Sequence, residues 1–229
     1  MLSLVNINKK YKSLPILKDI NLNIKENEKI GIMGVNGSGK TTLAEIIFGV
    51  IKPNKGKIIF SNSNIVIKNA VFQDVSFDGE LKLRSIFKFF CSALKVKCDN
   101  KKISEKFEKF ELENQLNLRY SNLSGGQKQK FKFLIALLNN PNFLLLDELT
   151  THLDYEWKIK IVDLVTKYLD TKECVLLLIS HDSYEVAKLC DRVIVIKDNV
   201  INKDFKLSSN FEESLLIIKK MVYDNDCNN

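Results

Sequence analysis

Residues 28–47 read EKIGIMGVNGSGKTTLAEII, and the order of textures within them decides the fold. Ile30 to Met33 make a short apolar run of strand length. Gly34, Gly37 and Gly39 then punctuate a turn, and Leu43, Ala44, Ile46 and Ile47 recur at helical spacing. From Gly34 to Thr41 the turn fits G-x-x-x-x-G-K-[ST]. The strand before it and the helix after it separate a phosphate-binding P-loop from a Gly-rich turn with a surface Lys. Glycines let backbone N–H groups turn inward around a polyphosphate, and the helix N-terminus adds partial positive charge at the same place. Lys40 can neutralise β and γ oxygens, and the Thr41 hydroxyl can hold Mg²⁺. The candidate phosphate contacts are Asn36, Gly37, Ser38, Gly39, Lys40, Thr41 and Thr42.

A second acidic strand end is needed to complete such a metal site. Phe143 to Leu146 are apolar and run into Asp147 and Glu148, which places two carboxylates at the C-terminal end of a buried strand, where ligands sit in open α/β sheets. Asp147 can orient Mg²⁺ through water, and Glu148, projecting differently, can polarise an attacking water. Standing alone, the pair would read as a strand end facing solvent. Between the two motifs, Leu123-Ser124-Gly125-Gly126-Gln127 opens another helical pattern, and its N-terminus is a second anion-binding end.

The P-loop, the acidic strand end and LSGGQ shortly before it together resemble the ATP-binding-cassette (ABC) ATPases, and the resemblance covers nearly the whole chain. It implies ATP and Mg²⁺ as cofactors, with Thr41, Gln73 and Asp147 at the metal. Tyr11 falls where the family stacks an aromatic on adenine, although the residues alone allow a core role. Gln73 in VFQD matches the Q-loop glutamine, and His181 in LLLISHD matches the switch histidine at the γ-phosphate. Thr150 to Asp154, TTHLD, look like the D-loop. Two subunits are expected to sandwich ATP head to tail, the P-loop of one facing Ser124, Gly125, Gly126 and Gln127 of the other. Glu148, His181, Gln73 and Lys40 are the expected catalytic set. Leu149 stands where the family usually has Pro, His152 is larger than the usual residue, and Lys130, Lys132 and Ile135 replace an Arg, an Ala and an Arg.

The expected fold is α/β: a P-loop NTPase core with a mainly parallel sheet, an N-terminal antiparallel β arm and an inserted α-helical subdomain. Strand-like texture fills residues 1–32. Helical spacing takes over at 81–118, and buried strands alternate with helices from 143 onward, as in a parallel sheet covered on both faces. One domain over 1–229 is expected, with its core in 1–75 and 140–229 and the helical subdomain at about 76–139.

Composition limits what else the chain can be. At 45% hydrophobic and 28% charged, with nine Gly and three Pro, it is an ordinary globular sequence. The net charge of +7 invites a nucleic-acid partner, but only Arg84, Arg119 and Arg192 are Arg, so none is expected. Five scattered Cys without a CxxC pair read as reduced thiols. Apolar runs stop at six residues, far short of the roughly 20 of a membrane span, and no signal segment is evident. The residues alone point to the cytosol, and the resemblance implies a place peripheral on the inner face of the cell membrane, beside a separate permease. The helical insert, with Phe87, Phe89, Phe90 and Phe107, looks most like exporter-type cassettes, although those Phe residues also suit a subdomain core. A soluble ABC ATPase of a non-transport complex is the alternative.

Overall fold

The computed structural model describes residues 2–60, 66–72, 76–148, 150–151 and 153–223. Two sheets carry the fold. An antiparallel sheet has the order β2-β1-β4, formed by β1 (Leu2–Tyr11), β2 (Leu14–Ile24) and β4 (Lys55–Phe60). A six-stranded sheet has the order β5-β6-β7-β3-β8-β9, formed by β3 (Lys29–Met33), β5 (Lys68–Val71), β6 (Phe143–Asp147), β7 (Val175–Ile179), β8 (Arg192–Lys197) and β9 (Val200–Lys206). Every pairing in it is parallel except β8 with β9.

Strand alternation explains why the central runs are apolar throughout. Leu144 and Leu146 of β6 and Leu176 and Leu178 of β7 enter one core with the helices, while Phe143, Leu145, Leu177 and Ile179 enter the other. That second core lies against β1, β2 and α1 (Lys40–Phe48). With both faces covered, a strand has no polar side to show. Each fully buried Leu or Ile contributes about 1.5–3 kcal/mol of transfer free energy.

Between β5 and β6 lie α2 (Leu83–Ala93), α3 (Asn100–Lys109) and α4 (Gly125–Ala136), and the α/β expectation with a helical insert holds. Phe77 meets Phe90, Tyr120 and Phe131 edge-on, and Phe87 meets Phe107, so aromatic packing holds these helices together. Phe87 and Phe107 are fully buried and Phe90 is half-buried, whereas Phe89 is 67% exposed. Of the four Phe residues expected to form either a groove or a core, only Phe89 faces outward. The remaining helices are α5 (Tyr155–Thr171), α6 (Ser183–Leu189) and α7 (Phe211–Ile218). Among the described residues no helix is long and apolar enough to cross a membrane.

Candidate nucleotide site

Strand order builds the site. β6, β7 and β3 are consecutive neighbours, all parallel, so their C-terminal ends emerge side by side. The end of β6 carries Asp147 and Glu148, that of β7 leads to Ser180 and His181, and that of β3 leads into the P-loop. Residues from three distant segments therefore meet on one edge, the position at which open α/β sheets bind ligands.

The loop from Gly34 to Gly39 is held by close backbone approaches. A Cβ at Gly34 would lie 2.2 Å from the Ile196 carbonyl, and one at Gly39 would lie 2.8 Å from the Ile16 carbonyl. Gly39 also takes φ +101°, which a side chain would disfavour. Helix α1 begins there with no side-chain cap, so the first N–H groups of the helix are left for a ligand. The Lys40 ammonium donates to the carbonyls of Gly34 at 2.8 Å and Val35 at 2.9 Å. Burial pushes its pKa down, while Glu148 and Asp147 pull it up. Ser38 Oγ is buried without a hydrogen-bond partner among the described residues. Asn36, Gly37 and Thr41 are exposed and Thr42 is half-buried along the same loop and helix start.

The fit to Mg²⁺ rests on donor chemistry. Thr41 Oγ1 donates to Asp147 Oδ2 at 3.0 Å, and Asp147 is only 1% exposed. A hydroxyl and a carboxylate are the hard oxygen donors that Mg²⁺ takes, with water completing its shell. Glu148 stands beside them with φ +51°, a left-handed backbone uncommon for a residue with a side chain. Its N–H donates to the Ile179 carbonyl at 2.9 Å and its carbonyl accepts from Gln129 Nε2 at 3.3 Å, so the strained backbone is held from two sides. Thr151 Oγ1 donates to Glu148 Oε2 at 3.2 Å, and His181 Nε2 lies 3.6 Å from Oε1.

Ser124 starts α4 with a full capping box: its Oγ accepts from the Gln127 N–H at 3.2 Å, and its own N–H donates to Gln127 Oε1 at 3.0 Å. Ser124 and Gly125 are exposed, Gly126 and Gln127 half-buried. Tyr11 ends β1, is 49% exposed, and has Lys9 Nζ 5.0 Å from its ring centroid. It pairs with Leu14, two residues from the Ile16 carbonyl that abuts Gly39, and is not a core residue. Gln73, Leu149 and His152 lie outside the described residues.

Several residues around the site escaped the sequence reading. Gln129 braces Glu148, and Glu185, Ser180 and Lys158 sit behind His181 in a polar cluster with Thr150. The one signal available for Glu185 was a carboxylate on the apolar face of α6 beside Val186 and Leu189.

Comparison with known proteins points the same way as the geometry. A family model described as ABC transporter matches residues 17–151. The chain is 31% identical over 212 residues to the spermidine/putrescine import ATP-binding protein PotA of Mycoplasma mycoides subsp. mycoides, covering 89% of this chain and 60% of that one. It is 31% identical over 207 residues to the nickel import system ATP-binding protein NikE of Staphylococcus aureus, covering 87% and 88% respectively. The chain thus spans less than two thirds of the PotA length, 54% for the Fusobacterium nucleatum protein. Its backbone is similar to a solved dimeric structure of the ATP-binding cassette MJ0796 in a post-hydrolysis state bound to ADP and Pi, with TM-score 0.80, 27% identity, and coverage of 92% of this chain and 100% of that one. Both sets of sequence relatives are named for import, so the export expectation finds no support among them. With a family model over more than half its length and a P-loop, an acidic strand end and an LSGGQ helix set on one fold, the chain belongs to the ABC transporter family.

Proposed function

We propose that the chain binds and hydrolyses ATP as the nucleotide-binding subunit of a transport system, driving a separate membrane permease. The observation that carries this reading is the convergence of Lys40, Thr41, Asp147, Glu148 and His181 at the ends of β3, β6 and β7. Lys40 and the N–H groups of the loop from Asn36 to Thr42 hold the β- and γ-phosphates, and the Ser38 hydroxyl supplies one more contact. Thr41 and Asp147, with Gln73, would hold Mg²⁺, whose charge would offset that of the phosphates. Glu148 takes the proton of a water that attacks the γ-phosphorus as the bond to ADP breaks, and His181 hydrogen-bonds the γ-phosphate. Tyr11 stacks on the adenine.

Ser124, Gly125, Gly126 and Gln127 face the γ-phosphate of a second ABC subunit, so ATP joins two cassettes and hydrolysis releases them. The partner cassette is a second copy of this chain or a related protein. The permease anchors the pair peripherally on the cytoplasmic face of the membrane, with Phe89 as one exposed apolar contact on the helical insert. Direction follows the names of the relatives, which favour import over export.

Glu148→Gln tests the reading. ATP should still bind and the protein should accumulate as an ATP-dependent dimer, while turnover falls roughly 10²–10⁴-fold, the range of general-base catalysis. Unchanged turnover would remove Glu148 from the role of base. Purification of tagged Glu148→Gln protein with ATP from solubilised membranes of its host should recover a polytopic membrane protein. Recovery of soluble partners alone would favour the non-transport alternative.

A further inference from the structure

Glu185 is as deeply buried as Asp147, at 1% exposure, yet it lies outside the set of groups assigned to phosphate, metal or water. Both of its carboxylate oxygens are engaged. Thr150 Oγ1 donates to Oε1 and Ser180 Oγ donates to Oε2 at 2.7 Å. Ser180 Oγ in turn accepts from the Asp182 N–H at 3.0 Å. Lys158 Nζ, from α5, lies 3.9 Å from Glu185 Oε1 and is paired with Asp182. Burial pushes the Glu185 carboxyl up against the pull of its two hydroxyl donors.

Fold stability is a poor explanation for this arrangement. A buried polar cluster is often replaced, all partners together, by apolar residues at no cost, and Glu185 sits on a helix face it shares with Val186 and Leu189. The carboxylate instead joins two particular backbone segments. Thr150 follows Glu148 by two residues, and Ser180 and Asp182 flank His181 on either side. His181 is 46% exposed, and the turn beneath it carries it to 3.6 Å from Glu148.

We infer that Glu185 is a positioning residue whose carboxylate ties Thr150 to the turn at Ser180–Asp182 and so fixes His181 relative to Glu148. This rests on the proposed roles of His181 and Glu148. A shift of the loop at Thr150 is then felt at His181 through a single side chain, with no contact between Glu185 and substrate.

The test compares steady-state ATP hydrolysis and thermal melting of Glu185→Gln, Thr150→Val and Ser180→Ala, with Glu185→Gln also made in a His181→Ala background. Gln keeps the shape and one acceptor oxygen but places an NH₂ against the second hydroxyl. Glu185→Gln should lower kcat about tenfold while KM for ATP stays within about twofold, the pattern of an interaction felt only in the transition state. Thr150→Val should do the same, and adding Glu185→Gln to His181→Ala should cost nothing further. Losses that multiply with that of His181→Ala, that lie in KM, or that track a lowered melting temperature would overturn the inference. Should Glu185→Gln fail to fold, Thr150→Val and Ser180→Ala carry the same comparison. Full turnover in His181→Ala by itself would instead reject the assignment of His181, a distinct result.

Discussion

Helices α1 and α4 both open on Gly-rich turns and both read in the sequence as anion-binding N-termini, yet they are finished in different ways. Helix α1 starts at Gly39 without a side-chain cap, and the buried Ser38 hydroxyl beside it has no partner among the described residues. Helix α4 starts at Ser124 with both arms of its capping box closed. The first leaves its donors to a ligand, whereas in the second the box already engages the Ser124 and Gln127 N–H groups and leaves those of Gly125 and Gly126. The first therefore suits a site that binds nucleotide within one chain. The second suits a rigid surface presented to a nucleotide held elsewhere, with the Ser124 hydroxyl accepting inward and its proton left to donate outward.

Breaking the open end should have the largest effect. Lys40→Ala removes the one ammonium in the cradle and should cost about 2–5 kcal/mol of ATP affinity, read by calorimetric titration, because it strips one partner from a buried charge pair. The closed end should behave oppositely. Ser124→Arg should leave ATP binding to the isolated chain intact while hydrolysis falls roughly 10²–10³-fold, the effect of losing a transition-state donor. Weakened binding in the monomer would mean that α4 belongs to the same site as α1, and the contrast would collapse. The milder Ser124→Ala should lower stability by about 0.5–2 kcal/mol in denaturant unfolding, the cost of an N-cap.

How much of this was legible depends on distance along the chain. The P-loop was readable from its glycine and Lys-Thr spacing between an apolar run and a helix, and the β6 end from an apolar run that stops at Asp147, both local patterns, whereas His181 at the β7 end was placed by the family resemblance. The α/β class followed from the alternation of such runs with helices. Tyr11 could not be placed from sequence, since an aromatic in a turn is equally a core residue until β1 and β2 are paired. Glu185 was missed for the opposite reason: its partner Thr150 is 35 residues away, and a carboxylate among the apolar residues of α6 does not announce that meeting. The departure at Lys130 also gains a physical account. Its ammonium lies 3.5 Å from the Trp157 ring centroid and 3.7 Å from Glu111, so it ties α4 to α5 and to the end of α3. Nothing in the structure explains Ile135 beyond its burial.

Helix α6 supplies a third start that sharpens the contrast, because its cap carries a charge. Asp182 accepts from the Tyr184 N–H at 2.7 Å and is paired with Lys158. Burial pushes the Asp182 carboxyl up, but Lys158 and the Tyr184 N–H outweigh it and hold it below its ordinary value of 3.8. A carboxyl lowered by folding contributes stability above its ordinary pKa, and that contribution is lost as pH falls through the folded value. Asn caps a helix about as well as Asp, so Asp182→Asn removes the charge and leaves the cap. The variant should be less stable at pH 7 by about 0.2–1 kcal/mol, the range of a partly exposed pair. The gap should close as the pH is lowered below about 4. A gap that persists at low pH would assign the effect of Asp182 to its hydrogen bonds, and α6 would then join α4 as a helix start capped through hydrogen bonds alone.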